Sequence, residues 1–421
     1  MSTHPLSWRF IDLQTVLLPR YAPVRQIFVD DALPDLRAAV HQAFERVAGR
    51  CAIRPGKRIA VTAGSRGIDR IAEITRAVVD ELKAWGAGPF IVPAMGSHGG
   101  ATAAGQLAVL QGYGITEEAM GCPIRASMEA VPLGTTAQGY TLYCDHYAWE
   151  SDGIVLLNRV KPHSILVGEV GSGLMKMLAI GLGKQVGADA IHVRGLQENF
   201  LPAARLALQQ APVVLGVALV ENAYHRTARV EAVLPEEIEE ADLRLLRLAR
   251  SYLPTLPFDP LDVLIVRQMG KEISGAGLDP HVVGMHRRLG GQPAQEIRRI
   301  VVLDLTAGTH GNAIGVGMAD LITERLKGKI DPEATAINAL TSDFLWGIKL
   351  PLALPTDFEA IALALRPFSP QQARSVLIQD TAHLDQISVS EALLEEARGN
   401  PRLEVLGAPM PLRFDDQGNL E

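Results

Sequence analysis

Five residues in the first half of the chain have types and settings that could do chemistry: Arg66, His98, His163, Lys176 and His192. His98 lies in Met95-Gly96-Ser97-His98-Gly99-Gly100, directly after the apolar run PFIVPA. His163 follows Lys161-Pro162, after the run GIVLLNRV. Lys176 sits between Leu174, Met175, Met177 and Leu178, and His192 closes the stretch sixteen residues later. A lysine with such neighbours snorkels to water, finds a partner, or serves as a desolvated amine that forms a covalent bond. Imidazole is the usual general base near neutrality and also a common metal ligand, so the histidines allow either role. A single histidine is more often structural than catalytic. His98 and His163 stand apart because each follows a strand-like run, and loops of that kind carry function. His4, His41, His146 and His225 have no such setting. Gly168, Gly171 and Gly173 precede Lys176, and glycines let a backbone approach a ligand closely. The stretch from Asn158 to His192 therefore reads as the wall of an active site.

Familiar motifs are excluded one by one. Gly181-Leu182-Gly183-Lys184 invites a phosphate-loop reading, but Gln185 stands where that motif needs a Ser or Thr for magnesium. The window around Ser172 has Val170 where a nucleophile elbow needs glycine. There is no H-E-x-x-H and no paired C-x-x-C, the common zinc patterns. No G-x-G-x-x-G follows the first strand, where a dinucleotide loop should lie.

The elements that must position these residues alternate. A helical repeat spans Asp35–Ala48, and IAVTA (59–63) reads as a buried strand leading into Gly64-Ser65-Arg66-Gly67. A helix follows to about Trp85, then PFIVPA, the His98 loop and a helix from Ala101. Strand–loop–helix alternation predicts α/β architecture with mostly parallel sheets and ligands at the carboxyl ends of strands, which is where Arg66 and His98 fall. Beyond a strand at VVLGVALVEN and an amphipathic helix over about 235–252, the proline-rich SYLPTLPFDPLD (251–262) marks a boundary. A second α/β pattern begins at Val263. Its strand IVVLDLT opens into Gly308-Thr309-His310-Gly311, which resembles Gly96-Ser97-His98-Gly99, and a helix is expected after Asn312. Two α/β domains follow, a cofactor-binding one over 1–255 and one over 256–421 that completes a substrate cleft between them.

A chain of 421 residues with 48% hydrophobic and 21% charged residues has the balance of a globular enzyme. The net charge of −7, without a basic block, argues against nucleic acid as a partner. No apolar run approaches a membrane span, and the start lacks a secretory pattern. Cys51, Cys122 and Cys144 read as buried or free thiols, so a cytoplasmic setting is expected.

On His98 in MGSHGG, His163 in KPHSILVG, Lys176 in GSGLMK and His192, the chain resembles the nickel-dependent lactate racemase family. The resemblance implies an isomerase that inverts Cα of a small 2-hydroxy acid with a nickel-pincer nucleotide, loaded by cofactor-synthesis proteins. By that match Lys176 carries the covalent link, His192 is the nickel ligand, and His98 and His163 are paired acid–base residues. Arg66, Gly171 and Gly173 line the cofactor, and Arg66 also faces substrate. Two features depart from the family: Ala63 replaces the aspartate of its D-x-T-R-P, and its substrate-holding Gln-x-x-Lys is not evident. LDPHVVGMHRR offers Arg287 or His286 there, which points away from lactate towards a longer or polyhydroxy (aldonic) acid. The alternatives are a hydrolase or lyase with a metal held directly by histidines, and a non-catalytic cofactor-binding protein.

Overall fold

The computed structural model describes residues 12–163, 168–192 and 196–421. The strands in chain order begin with β1 (Tyr21–Gln26), β2 (Arg58–Ala63), β3 (Gly88–Pro93), β4 (Ala130–Thr135) and β5 (Thr141–Asp145). Next come β6 (Gly153–Arg159), β7 (Val213–Glu221), β8 (Thr227–Val233), β9 (Leu261–Met269) and β10 (Ile297–Leu305). The last are β11 (Leu321–Thr323), β12 (Leu352–Leu354), β13 (Ser375–Ile378), β14 (Gln386–Ser390) and β15 (Leu403–Val405). They divide between two compact α/β units, one of Val29–Leu253 and one joining residues 12–28 to Pro254–Glu421.

The Val29–Leu253 unit is built on a sheet of order β3-β2-β6-β7-β8, parallel except for β8. β2 and β3 are buried from their second residue onward, as expected of parallel strands covered on both faces. Helix Ile71–Ala84 packs on the sheet through Ile74, Val78 and Leu82, which recur one turn apart. After β2 the chain winds to β3 on one side, whereas β6 pairs on the other. The winding therefore reverses beside β2, the kind of place where ligands collect outside the carboxyl ends of strands.

The second unit has the sheet order β12-β11-β10-β9-β13-β14-β1-β15, parallel from β12 to β13 and antiparallel beyond. Two expectations change here. β1 pairs with β14 from Tyr21↔Ser390 to Arg25↔Gln386 and also with β15, so this part of the expected 1–255 domain completes the other unit's sheet. Nothing local in YAPVRQ marks partners so far downstream. The helix expected after Asn312 is replaced by a 3-10 turn, Val316–Met318, leading to β11. Gly315, at φ 89°, donates its N–H to the Gly347 carbonyl, which a continuing helix would forbid.

One buried ion pair supports the His98 loop. Lys184 and Asp145 are both fully buried, with Nζ 2.8 Å from Oδ2. Lys184 also donates to the Pro93 carbonyl at 2.7 Å, at the end of β3. Gln106 is buried beside it and donates to the carbonyls of Gly96 and His98 at 2.9 and 3.3 Å. The lysine of the apparent phosphate loop thus holds a strand end in place. Removing one member of such a pair leaves an uncompensated charge. Lys184→Met is expected to cost about 3–5 kcal/mol in urea unfolding. Adding Asp145→Asn, which retains an oxygen for the Ala148 N–H, should recover a large part; a double variant no more stable than Lys184→Met would contradict this role.

Candidate active site

At the carboxyl end of β6, Lys161 and Ser172 form an antiparallel bridge, each N–H donating to the other's carbonyl at 2.9 Å. The bridge fixes where the intervening loop leaves and returns, and His163 lies just inside it. The Asn158 side chain donates to the Gly173 carbonyl at 2.7 Å, and the helix Leu174–Lys176 begins there. Asp242, from helix Ile238–Ser251, accepts the N–H groups of Leu174 and Met175 at 3.0 and 2.9 Å. These are donors at a helix start that have no partner within the helix. Burial pushes the Asp242 carboxyl up to about 6, against the pull of those two bonds. A π-helical turn, Met177–Gly181, follows Lys176, and such turns often occur at functional sites. The Gly96 N–H donates to the Gly181 carbonyl at 3.0 Å, tying the His98 loop to the far end of that turn.

Within this frame, Lys176 Nζ lies 2.7 Å from His163 Nε2. Burial, then the charges of Arg66 and Lys161, together lower the Lys176 pKa to about 7. A substantial fraction of the amine is therefore neutral at neutral pH, able to share one proton with the imidazole. Arg66, on the loop after β2, exposes side-chain surface to solvent, yet desolvation also lowers its pKa; Tyr113 opposes that shift and Arg159 adds to it. Arg66 has no hydrogen-bond or carboxylate partner among the described residues. Arg159, by contrast, is paired with Glu221 at the ends of β6 and β7.

His98 is exposed on the loop after β3, and its Nδ1 is hydrogen-bonded to Ser65 Oγ. That bond fixes the orientation of the ring, and the Tyr113 hydroxyl steadies the Ser65 loop after β2 by donating to the Ser65 carbonyl at 2.9 Å. His98, Ser65 and Arg66 thus form one neighbourhood, and Arg66, Lys176 and His163 form the next. His192 is the last residue of helix Lys184–His192, and its side chain lies outside the described residues.

Packing within the unit accounts for the two glycines expected to line the cofactor. A Cβ on Gly173 would lie 2.5 Å from Asp242 Oδ2, and one on Gly171 would lie 2.7 Å from both Leu246 Cδ1 and the Lys161 carbonyl oxygen. Arg287 belongs to the second unit and donates to the carbonyls of Met318 and Ile297 at 2.8 and 3.0 Å, with Asp320 3.1 Å away. Those bonds occupy the terminal nitrogens that were expected to hold substrate. His286 packs under Gly284, with its pKa lowered by burial and by Arg287. The His310 loop resembles the His98 loop in letters only: His310 has φ 50°, ψ 45°, whereas His98 has φ −63°, ψ 166°. Sequence reading missed Ser65, Asp242 and the Lys184–Asp145 pair. Serine and aspartate carry no local signal for such roles, and Lys184 was visible only as a failed motif.

Among the described residues, no three His, Cys, Asp or Glu side chains cluster as a metal site, and no helix is long and apolar enough to cross a membrane. No family model and no curated protein matches this chain. Among solved structures, it is similar to the lactate racemase apoprotein of Thermoanaerobacterium thermosaccharolyticum, at 15% identity and TM-score 0.49 over 86% of this chain and 89% of that one. It is also similar to a structural-genomics protein of Thermotoga maritima, at 11% identity and TM-score 0.46 over 66% of this chain and 71% of that one. Likeness at this level assigns no role to any residue.

The lowered Lys176 pKa has a consequence for stability. The unfolded chain holds the lysine proton up to about 10.5, while the folded protein releases it near 7. The cost of enclosing the ammonium is therefore full below pH 7 and is relieved as pH rises towards 10.5. Lys176→Met is expected to raise stability most at pH 6–7, with the gain shrinking by pH 9.5. Urea titrations of both proteins across that range measure it, and a gain independent of pH would contradict the shift.

Proposed function

We propose that this chain is a racemase or epimerase of a 2-hydroxy acid that works with a nickel-pincer nucleotide tethered at Lys176. The observation that carries the reading is the Lys176–His163 contact: a shielded amine, lowered to a pKa of about 7, within 2.7 Å of an imidazole nitrogen. An amine of that kind suits acyl-type attachment, because the neutral form is the nucleophile. The flanking cations Arg66 and Lys161 suit an anionic nucleotide or substrate. The residues thus fit the group at its point of attachment, and His192 is assigned as nickel ligand from the sequence resemblance alone.

When bound, the cofactor would supply a centre able to take a hydride from the substrate Cα and return it. The chain's own residues provide the rest. Arg66, without a carboxylate partner among the described residues, holds the substrate carboxylate, a task that suits the planar guanidinium fork. His98 and His163 take and return the hydroxyl proton, each serving as base for one enantiomer. Ser65 keeps the His98 ring in one orientation. Once Lys176 is acylated it is no longer a base, and His163 loses its competitor for the proton.

Protein produced together with the cofactor-synthesis proteins is expected to show an intact-mass adduct and bound nickel, both lost in Lys176→Ala. The loaded protein should then invert members of a panel of 2-hydroxy and aldonic acids without exchanging the Cα hydrogen with solvent. Adduct-free, nickel-free protein under those conditions would contradict the tether, and loaded protein that inverts nothing would leave only cofactor binding.

A further inference from the structure

We propose that, without any cofactor, Lys176 forms an imine with short oxo acids, using His163 as its proton acceptor and Arg66 to hold the carboxylate. The inference does not rest on the nickel reading, because it needs only the chain's own residues.

Three observations converge on it. Lys176 Nζ has an imidazole nitrogen 2.7 Å away to receive the proton that an ammonium must lose before it can attack. Its surroundings favour the neutral amine, through desolvation and through two neighbouring cations, the arrangement by which lysines become nucleophiles towards carbonyls. Arg66 is a guanidinium without a hydrogen-bond or carboxylate partner among the described residues, close enough for its charge to act on Lys176. A molecule with both a carbonyl and a carboxylate answers both groups, whereas an uncharged aldehyde answers only one.

The step balances without oxidant or reductant. The Lys176 lone pair forms a C–N bond while the carbonyl π pair moves to oxygen. His163, carrying the proton it took from the ammonium, passes it to that oxygen and then takes one from the nitrogen, producing a carbinolamine. The C–O bond then breaks, the hydroxyl leaves as water with a proton returned from His163, and C=N forms. An oxo acid would in this way occupy the amine that a tethered cofactor requires.

Reductive trapping of the cofactor-free protein tests this. Protein is treated with pyruvate and cyanoborohydride at pH 7, then examined by intact mass and peptide mapping. The expected result is one secondary amine at Lys176, formed about a hundredfold faster than at exposed lysines such as Lys57 or Lys327, since an amine titrating near 7 is neutral far more often than an ordinary lysine. Lys176→Arg should abolish it. His163→Ala should slow it by about tenfold or more. Pyruvate should outcompete propanal, and Arg66→Ala should remove that preference. Labelling spread evenly over exposed lysines, or persisting in Lys176→Arg, would overturn the proposal. An unchanged rate in His163→Ala would overturn the proton route, and equal capture of propanal by the wild type would overturn the carboxylate contact. The experiment contains neither nickel nor nucleotide, so it reads the reactivity of Lys176 separately from cofactor loading, which the intact-mass and nickel measurements read.

Discussion

A partly buried ammonium group faced by other cations is unfavourable, and the site depends on that constraint. Lys176 could have escaped it by reaching bulk water or by meeting a carboxylate, the usual solutions for a lysine among apolar neighbours. Instead its polar contact among the described residues is His163, which can accept a proton but brings no negative charge in its neutral form. The arrangement stores an amine in its reactive form and places a proton carrier beside it.

Holding the amine there takes contributions from several elements. Asp242 pins the first turn of the lysine's helix, and Gly173 is bare because a side chain would collide with that carboxylate. The Lys161–Ser172 bridge closes the base of the His163 loop. On the opposite side of β2, the buried Lys184–Asp145 pair and Gln106 hold the end of β3 and the His98 loop. Arg66 stands between the two groups, on the loop after β2. These contacts lie at the end of the sheet where its winding reverses beside β2.

Much of this was legible in the sequence because it depends on local pattern. Strand–glycine loop–helix alternation gave the α/β class and put Arg66 and His98 at strand ends. The hydrophobic flanks of Lys176 announced an unusual lysine. What was illegible depends on distant partners. The pairing of Tyr21–Gln26 with Gln386–Ser390 is a matter of register between segments at opposite ends of the chain. Asp242 is one acidic residue in a helix with several, and only its position against Leu174 and Met175 distinguishes it. Gly171 and Gly173 looked like room for a ligand, although a helix and a backbone bridge already use that room. Arg287 looked like a free cation, yet two carbonyls and Asp320 engage it.

The central claim is that Lys176 titrates near 7, so that a substantial fraction of the amine is neutral at physiological pH. Its most direct test is an NMR titration of the protein with isotope-labelled lysine side chains, the Lys176 signal being assigned by its loss in Lys176→Arg. A midpoint near 7, moving upward in Arg66→Ala, is the expected result. A midpoint near 10.5, indistinguishable from the exposed lysines, would contradict the account.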